Sequence, residues 1–337
     1  MLRKTKHSGL RTEREEALGS PRREGVTSIH SLDRFVFSVP DLSMAKAYYS
    51  AFGLDLREIG GRLDLHTHGH PHRWGSVYAS GKPKKLEYLA FGVYAEDFEP
   101  LRRHLEKKGG TFIHPHKLAD TEGYWLSDPD GIALQIVVAE KSSPSKKTDS
   151  VGPLKARTSR GTVVGPSRSG AQPVKPVRLT HALLYSTDVP RSVRFYSEML
   201  GLRLSDQSGD GIAFLHGAHS SDHHLLAFVK SSGPGLHHTS WIVGSVDEIG
   251  LGMEQMRAAG YPNGWGVGRH VLGSNYFFYS EDPWGSFTEF SCDIDFIGAE
   301  SEWPHADHPP NDSFYLWGPD PPGNFITNHE AGEKPPP

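Results

Sequence analysis

Hydrophobic and polar positions follow one another in the same order in two separate parts of the chain. Residues 39–56 and residues 187–204 each begin with a short polar turn, continue with a stretch whose aromatic residues share one helical face, and end on Gly-Leu before an alternating stretch. Apolar residues spaced three and four apart predict an amphipathic helix, whereas alternation predicts a half-buried strand. Each part is therefore expected to contain a helix that leads into a strand.

A second pair of matching stretches lies further along the chain. Residues 126–136 (LSDPDGIALQI) and 280–290 (SEDPWGSFTEF) both place Asp-Pro-x-Gly between alternating positions, which predicts a tight turn that joins two strands. The matching glycines Gly53 and Gly201 are 148 residues apart. These matches indicate a duplicated unit of one strand, one helix and about three further strands, so the expected fold class is α+β.

Two stretches of the chain lack this periodicity. Residues 141–176 are rich in Ser, Pro, Gly and Lys, which predicts a flexible linker. The chain has a net charge of −4, but the linker carries eight Lys or Arg against a single acidic residue, Asp149. Because the linker contains no aromatic residue and no folded motif, we interpret it as solvated chain and expect no nucleic-acid partner. The resulting division is a disordered basic tail (1–27), a first module (28–140), the linker (141–176), a second module (177–296) and a final segment (297–337).

The composition is that of an ordinary globular protein, with 36% hydrophobic and 23% charged residues among 337. That length is sufficient for two modules, each with its own core. No apolar run approaches the roughly 18 residues that a membrane helix needs, and the charged N-terminus lacks the apolar segment of a secretion signal. The single cysteine, Cys292, cannot form an internal disulfide. These features favour a cytoplasmic location and no membrane partner.

The most specific motif spans residues 268–289, which read GRHVLGSNYFFYSEDPWGSFTE. The stretch contains Gly-x-His, an apolar-Tyr pair, Asp-Pro-x-Gly and a closing Glu, in the order and spacing of the signature of type I extradiol dioxygenases such as catechol 2,3-dioxygenase. Over roughly residues 28–310 the chain resembles this group of the vicinal oxygen chelate superfamily. The resemblance implies two tandem βαβββ modules of glyoxalase-like fold, each a cupped mixed sheet with flanking helices, and one of them built around a metal.

The resemblance also implies a set of metal ligands. THALLY (180–185) is similar to the strand that carries the first histidine ligand, and GLHHTSW (235–241) to the strand that carries the second. His181, His238 and Glu289 are therefore the expected ligands. Two imidazoles and one carboxylate on one face of a metal leave other positions open, which is the arrangement of non-haem Fe(II) oxygenases. The expected cofactor is Fe(II), with Mn(II) as the alternative.

Three further residues take acid–base or hydrogen-bonding roles by the same resemblance. DHHLLAF (222–228) is similar to the segment with the catalytic histidine of the family, which assigns that role to His224 and leaves its neighbour His223 as the alternative. A neutral imidazole can take a proton from a bound diol and later return one. His270 and Tyr279 are expected to be catalytic and to hydrogen-bond the substrate oxygens, although Tyr279 could equally be a core residue.

One departure from the family bears on the substrate. Relatives that cleave homoprotocatechuate have an arginine five residues before the signature histidine, and this chain has Trp265 there. A tryptophan cannot pair with a carboxylate but can stack on a ring. The sequence therefore predicts an uncharged, bulky catechol that contacts Trp265, His270 and Tyr279.

The first module provides an internal comparison. The local offsets align Asp33, Tyr88 and Gln135 with the three expected ligands, in that order. Such a set is a poor Fe(II) site. The first module is accordingly expected to be a metal-free structural partner of the second.

The final segment is unusually aromatic for a tail. It contains many prolines and a group of aromatic side chains that water would not favour: Trp303, Phe314, Tyr315, Trp317 and Phe325. Proline stiffens an extended path and lowers the entropy lost on docking. We expect residues 297–337 to form a lid over the metal pocket.

The function that the resemblance implies is ring cleavage of a catechol beside one hydroxyl. Both atoms of O₂ enter a muconic-semialdehyde-type product, in the breakdown of aromatic compounds. The expected partners are a catechol, O₂ and further copies of the chain in a homo-oligomer. The alternatives are a glyoxalase-like isomerase or thiol transferase, or a protein of the same superfamily that binds a small aromatic molecule with or without a metal.

Overall fold

The computed structural model describes residues 21–149, 152–157 and 159–335, and each repeat forms one mixed sheet with two helices. The first sheet has seven strands in the order β2-β3-β4-β1-β5-β7-β6. Its strands are β1 Ser31–Val39, β2 Asp55–Ile59, β3 Arg62–His66, β4 Gly75–Ala79, β5 Lys85–Val93, β6 Tyr124–Ser127 and β7 Ala133–Val138. Its helices are α1 Leu42–Phe52 and α2 Ala95–Lys107.

The second sheet is larger, because short strands extend both of its edges. Two two-residue strands, β8 Ala156–Arg157 and β9 Val163–Val164, pair with each other before it begins. The later strands are β10 Arg178–Ser186, β11 Arg203–Ser208, β12 Ile212–His216, β13 Ser221–Asp222, β14 Leu226–Lys230, β15 Gly235–Ile242, β16 Gly264–His270, β17 Tyr276–Glu281, β18 Phe287–Cys292, β19 Phe296–Ile297, β20 Ala306–Asp307 and β21 Tyr315–Trp317. The order of the ten-stranded sheet is β20-β11-β12-β14-β10-β15-β18-β17-β16-β21.

The helices of the second repeat are α3 Val189–Leu200 and α4 Val246–Ala258. Three short 3-10 helices complete the described elements: Arg168–Gly170, Pro310–Asp312 and His329–Ala331. No helix in the described ranges combines the length and apolar character that crossing a membrane would require.

The two sheets repeat the same pairing pattern. Strand β1 pairs in parallel with β4, as β10 does with β14, and β5 pairs in parallel with β7, as β15 does with β18. The neighbouring pairs β1–β5 and β10–β15 are antiparallel. The predicted duplication and the α+β class are therefore confirmed.

The first helix of each module is delimited by the residues that its sequence predicts. Asp41 accepts a hydrogen bond from the main-chain N–H of Ser43, and Asp188 caps α3 in the same manner. Both helices end at a glycine in the left-handed region, Gly53 at φ 93° and Gly201 at φ 77°. Any residue with a side chain would be strained at these positions. Its Cβ would also collide with a distant segment of the same chain, at Val174 for position 53 and at Ser28 for position 201.

Each of these helices packs against the other module. The Tyr48 hydroxyl of α1 donates to the Ser280 carbonyl at 2.9 Å, and the Tyr196 hydroxyl of α3 donates to Asp128 at 3.1 Å. Phe52 stacks on Phe290 with ring centroids 3.9 Å apart. One buried apolar cluster consequently runs through both modules.

Parts of the predicted linker and tail are packed against the modules. The Ser143 hydroxyl donates to the His30 carbonyl at 2.6 Å. The main-chain N–H of Val174 donates to Gln255 of α4 at 2.8 Å, and the Val174 side chain is buried. In the tail, Arg22 pairs with Asp97 at 2.8 Å, whereas residues 1–20 lie outside the described residues.

The Lys84–Asp282 ion pair joins the modules, and both side chains are almost completely buried. Replacing Lys84 by Met should lower the free energy of unfolding by about 3–5 kcal/mol, because Asp282 would keep a buried charge without its cation. Urea unfolding measures the effect. The control is Lys46→Met, which removes an exposed pair with Glu58 and should cost under about 1 kcal/mol. Equal losses in the two variants would contradict the prediction.

Candidate metal centre

Three adjacent strands of the second sheet present His181, His238 and Glu289 on one face. His181 on β10 lies opposite Ser240 on β15, and Ser240 lies opposite Glu289 on β18. His238 is two residues before Ser240, so its side chain points to the same face of the sheet. The pairing register alone therefore brings the three predicted ligands together.

The ligand atoms of this triad converge. His181 Nε2 lies 3.2 Å from His238 Nε2 and 3.4 Å from Glu289 Oε2, and His238 Nε2 lies 3.7 Å from the same oxygen. All three side chains are buried. In the described part of the chain this is the only group of three His, Cys, Asp or Glu side chains whose ligand atoms converge in this way.

The hydrogen bonds of Glu289 test whether the site fits a cation. Oε1 accepts a hydrogen bond from Asn275 Nδ2 at 3.0 Å, but Oε2 is buried without a donor. An ionised oxygen that is buried and unpaired is costly. Two imidazole nitrogens that face this oxygen complete a donor set for a divalent metal, so the residues fit such an ion.

His270 and Tyr279 lie on the next two strands and contact the triad. The Tyr279 hydroxyl is 2.9 Å from His270 Nε2, which is itself 3.9 Å from Glu289 Oε1. His270 Nδ1 donates to the Phe314 carbonyl at 2.8 Å, so Nε2 of the neutral ring accepts from Tyr279. Burial lowers the pKa of His270 and, together with the charge of Glu289, raises the pKa of Tyr279. Both side chains therefore enter the site uncharged.

The two adjacent histidines before β14 occupy different places. His224 lines the cavity beside the triad, with its ring centroid 4.0 Å from that of His181. Burial and the neighbouring imidazoles lower its pKa well below the usual value. His223 is fully buried behind His224 and is not part of the cavity wall. Of the two alternatives, the geometry thus places His224 within reach of a substrate.

The triad opens into a cavity with about 610 Å³ of empty space, part of it open to solvent. Its polar wall consists of the triad, His224, His237, His270, Asn275, Tyr279 and Ser313. Its apolar wall consists of Leu183, Ile212, Phe214, Val229, Leu272, Phe314, Phe325 and Ile326. Among the described residues that line it there is no lysine or arginine.

Known proteins with the same features identify the family. The model of the Glyoxalase/Bleomycin resistance protein/Dioxygenase superfamily matches residues 31–136 and 178–290. Metapyrocatechase 2 of Cupriavidus necator is 46% identical over 304 residues, which cover 90% of this chain and 93% of that protein. The chain is an extradiol ring-cleaving dioxygenase of this superfamily. The family and the enzyme class expected from the signature are thus confirmed.

Two further relatives are more distant. An iron-dependent extradiol dioxygenase of Rhodococcus jostii (strain RHA1) is 31% identical over 130 residues, which cover 34% of this chain and 43% of that protein. The Mn(II)-bound glyoxalase from Novosphingobium aromaticivorans superposes with a TM-score of 0.71 at 22% identity, over 90% of this chain and 96% of that one. At this identity the second likeness supports the fold alone.

The final segment of the dioxygenase is built into the second sheet. β20 pairs with β11 and β21 with β16 at the two edges of that sheet, whereas β19 pairs with β13 in a separate two-stranded sheet. Glu330 accepts main-chain hydrogen bonds from Leu86 of the first module at 2.7 Å and from Leu236 of the second at 2.9 Å. Phe314 and Phe325 of this segment belong to the cavity wall, and its role as a lid stays a prediction.

Trp265 lies behind the cavity wall. Its ring stacks on Phe314 with centroids 4.7 Å apart and on Tyr279 at 5.5 Å, and its indole N–H donates to the Pro319 carbonyl at 2.7 Å. It is not among the residues that line the cavity. The expected stacking of Trp265 on a substrate ring is therefore replaced by packing that supports Phe314 and Tyr279.

Two residues of the site were missed by sequence reasoning. Asn275 orients Glu289, but it lies in the variable stretch of the signature, where the sequence gives no signal. His237 Nδ1 lies 2.7 Å from His238 Nδ1, and burial lowers the pKa of His237 to about 4. Its position directly before the expected ligand His238 was the available signal, since a metal-bound histidine usually donates its other N–H to a neighbour.

The strand pairing corrects the comparison with the first module. His181 lies opposite Ser240 beside a register shift, and in the first module Arg34 lies opposite Ala90 beside the same shift. His181 therefore corresponds to Arg34, and the predicted correspondence with Asp33 is wrong by one residue. The error arises because α3 has 12 residues and α1 has 11, so the offset of 148 holds only after the helix.

The other two correspondences are as predicted. Tyr88 takes the place of His238 and Gln135 that of Glu289. Arg34 Nη2 donates to Gln135 Oε1 at 3.1 Å and to the hydroxyl of Thr121. In the first module a guanidinium thus occupies the sheet position that a metal would hold in the second.

Replacing Arg34 by Met should lower the free energy of unfolding by about 2–4 kcal/mol, because buried Asp33 loses its adjacent cation and Gln135 loses one of its two donors. The content of bound metal should stay unchanged, because His181, His238 and Glu289 lie in the other module. Urea unfolding and metal analysis measure the two effects. Arg57→Met, which removes an exposed pair with Asp55, is the control and should cost under about 1 kcal/mol. Loss of bound metal in the Arg34 variant would contradict the expectation that the two positions are independent.

Proposed function

We propose that the enzyme holds Fe(II) between His181, His238 and Glu289 and cleaves an uncharged catechol that carries an apolar substituent. The observation that carries the proposal is a convergent, buried triad that opens into a cavity walled largely by aliphatic and aromatic side chains. The incoming catechol supplies two adjacent hydroxyls, and both atoms of O₂ enter the ring-opened product.

The donor set supports iron. Imidazole and carboxylate ligands suit Fe(II) and leave positions open, whereas a closed structural zinc site is usually built with thiolates. When bound, the iron acts as a Lewis acid on the diol and passes electrons between the diol and O₂. Mn(II) accepts the same ligands, so metal analysis of the protein as isolated separates the two ions.

The surrounding side chains act on the protons of the diol. His224 is uncharged and lies at the cavity, so it can take a proton from one hydroxyl and return it as the ring opens. A hydrogen bond joins Tyr279 on β17 to His270 on β16. In the order of the sheet these two strands lie on one side of the Glu289 strand, and the His181 strand lies on the other. Since the Tyr279 proton is donated to His270, the Tyr279 oxygen can accept a hydrogen bond from a substrate hydroxyl.

The lining supports the substrate class. A catechol with a carboxylate side chain would need a cation in the wall, and the described lining residues provide none. Ile326 lies at the mouth, where it is 57% exposed and still contributes to the wall. An alkyl or aryl substituent that extends from the ring can bury apolar surface against Ile326, Ile212 and Val229.

The ligand assignment predicts that His181→Ala, His238→Ala and Glu289→Gln each reduce bound iron well below one per chain and abolish O₂ uptake with catechols. Each change removes one of the three donors that a stable site needs. Iron analysis and an oxygen electrode measure the outcome, with His72→Ala in the first module as the control. Full iron and normal turnover in any one variant would remove that residue from the site. If the unaltered, iron-loaded enzyme consumed no O₂ with any catechol, the proposed reaction itself would be wrong.

The apolar mouth predicts that Ile326→Ser raises the KM for an alkyl- or aryl-substituted catechol about 5- to 10-fold, because roughly 1 kcal/mol of apolar contact is lost. The KM for unsubstituted catechol should change less than about twofold. Steady-state O₂ uptake with both substrates gives the ratio. Ile59→Ser is the matched control, since Ile59 is 50% exposed on the first module. A similar KM increase for both catechols would contradict the proposed contact.

A further inference from the structure

A continuous hydrogen-bond chain leads from Asp206 through His223 to His224. His223 Nε2 lies 2.8 Å from Asp206 Oδ2, and His223 Nδ1 lies 3.0 Å from His224 Nδ1. The second ring nitrogen of His224, Nε2, has no hydrogen-bond partner among the described residues. Since Nδ1 is taken up by His223, Nε2 is the nitrogen of His224 that remains for a substrate in the cavity.

The carboxylate at the start of this chain is held in its ionised form. Asp206 lies on β11 and its side chain is 7% exposed. Besides His223, it accepts hydrogen bonds from Trp303 Nε1 at 3.1 Å, the main-chain N–H of Ala306 at 2.9 Å and His308 Nε2 at 3.1 Å. Although burial acts in the opposite direction, these donors hold the pKa of Asp206 below its usual value. An ionised carboxylate can only accept hydrogen bonds.

This constraint fixes the protons along the chain. Because Asp206 only accepts, His223 Nε2 carries a proton and donates it. A neutral imidazole that carries its proton on Nε2 has an unprotonated Nδ1, which accepts a hydrogen bond from His224 Nδ1–H. The remaining nitrogen of His224, Nε2, is left with a lone pair on the cavity side.

We propose that Asp206 and His223 are positioning residues that hold His224 in the tautomer protonated on Nδ1, so that Nε2 receives the proton of the substrate. The inference rests on the proposed function for the role of His224 itself. A diol O–H bond breaks as an Nε2–H bond forms, and the same proton leaves Nε2 for the ring-opened product. While His224 is charged, its Nδ1–H still points to His223 and so to the negative charge of Asp206.

A purely structural role for Asp206 is the competing explanation, since three of its four donors come from the final segment. His308 binds Oδ1, whereas His223 binds Oδ2, so the two roles can be separated. His308→Gln should leave kcat within about twofold, because the Asp206–His223 bond persists. His223→Phe should lower kcat about 10- to 100-fold at unchanged KM and iron content, as expected when an orienting hydrogen bond of an acid–base group is lost.

Conservative replacement sharpens the kinetic test. His223→Gln should restore kcat to within about fivefold of the original enzyme, because one amide can accept from His224 and donate to Asp206. Asp206→Asn should lower kcat about as much as His223→Phe does. The Asn amide can donate a hydrogen bond to His223, which would reverse the direction of the hydrogen bonds from residue 206 to His224. The proposal is overturned if His308→Gln loses as much kcat as Asp206→Asn, or if His223→Phe retains full kcat.

The tautomer can be measured without turnover. The full-length protein is labelled with ¹⁵N-histidine and loaded with diamagnetic Zn²⁺, and the signals of His224 are those that disappear in His224→Phe. Two-bond ¹H–¹⁵N spectra should show a protonated Nδ1 and an unprotonated Nε2 for His224, and a changed pattern in Asp206→Asn. A His224 protonated on Nε2, or a doubly protonated His223, overturns the inference. Because this readout needs no reaction, it remains decisive even if no catechol is cleaved.

Discussion

A polar group buried at the centre of a sheet must find a partner, and each module of this dioxygenase supplies a different one. In the second module Glu289 has one oxygen without a donor, and two imidazole nitrogens face it. In the first module the corresponding residue is Gln135, and its oxygen accepts from Arg34. The buried acceptor at this sheet position is therefore satisfied by a guanidinium of the same chain in the first module, whereas a metal would satisfy it in the second.

This difference explains how a duplicated fold keeps a single active centre. The pairing of β10, β15 and β18 is copied in β1, β5 and β7, so the backbone offers the same place twice. The side chains at these equivalent strand positions determine which module presents a convergent set of possible metal ligands. The first module still contributes to the enzyme, because its helix α1 packs on the β17–β18 hairpin that carries Glu289. The Tyr48 hydroxyl of α1 donates a hydrogen bond to the Ser280 carbonyl of β17.

The convergence of His181, His238 and Glu289 was predictable because all three residues lie inside motifs of fixed spacing. Sequence reasoning failed where spacing changes by one residue: the extra residue in α3 shifted the match of His181 from Arg34 to Asp33. It also failed where the outcome depends on packing from distant segments. Whether Trp265 faces the cavity is decided by Phe314 and Pro319, which lie about 50 residues later and carry no local signal.

The final segment shows what composition can predict and what it cannot. Its aromatic composition correctly indicated that it lies against the pocket, but composition cannot give the strand pairs that fix it at both edges of the sheet. Those pairs have a chemical consequence. By placing Trp303, Ala306 and His308 on Asp206, the segment supplies donors that stabilise a buried carboxylate 17 residues from His223 in sequence.

Burial gives the whole site one electrostatic character. It lowers the pKa of His224, His238 and His270, so none of these rings carries a charge of its own. A bound metal would supply positive charge beside Glu289, and proton transfer depends on which nitrogen of each neutral ring holds the proton. In such a site the hydrogen bonds outside the cavity, more than the pKa values inside it, determine which atom acts as the base.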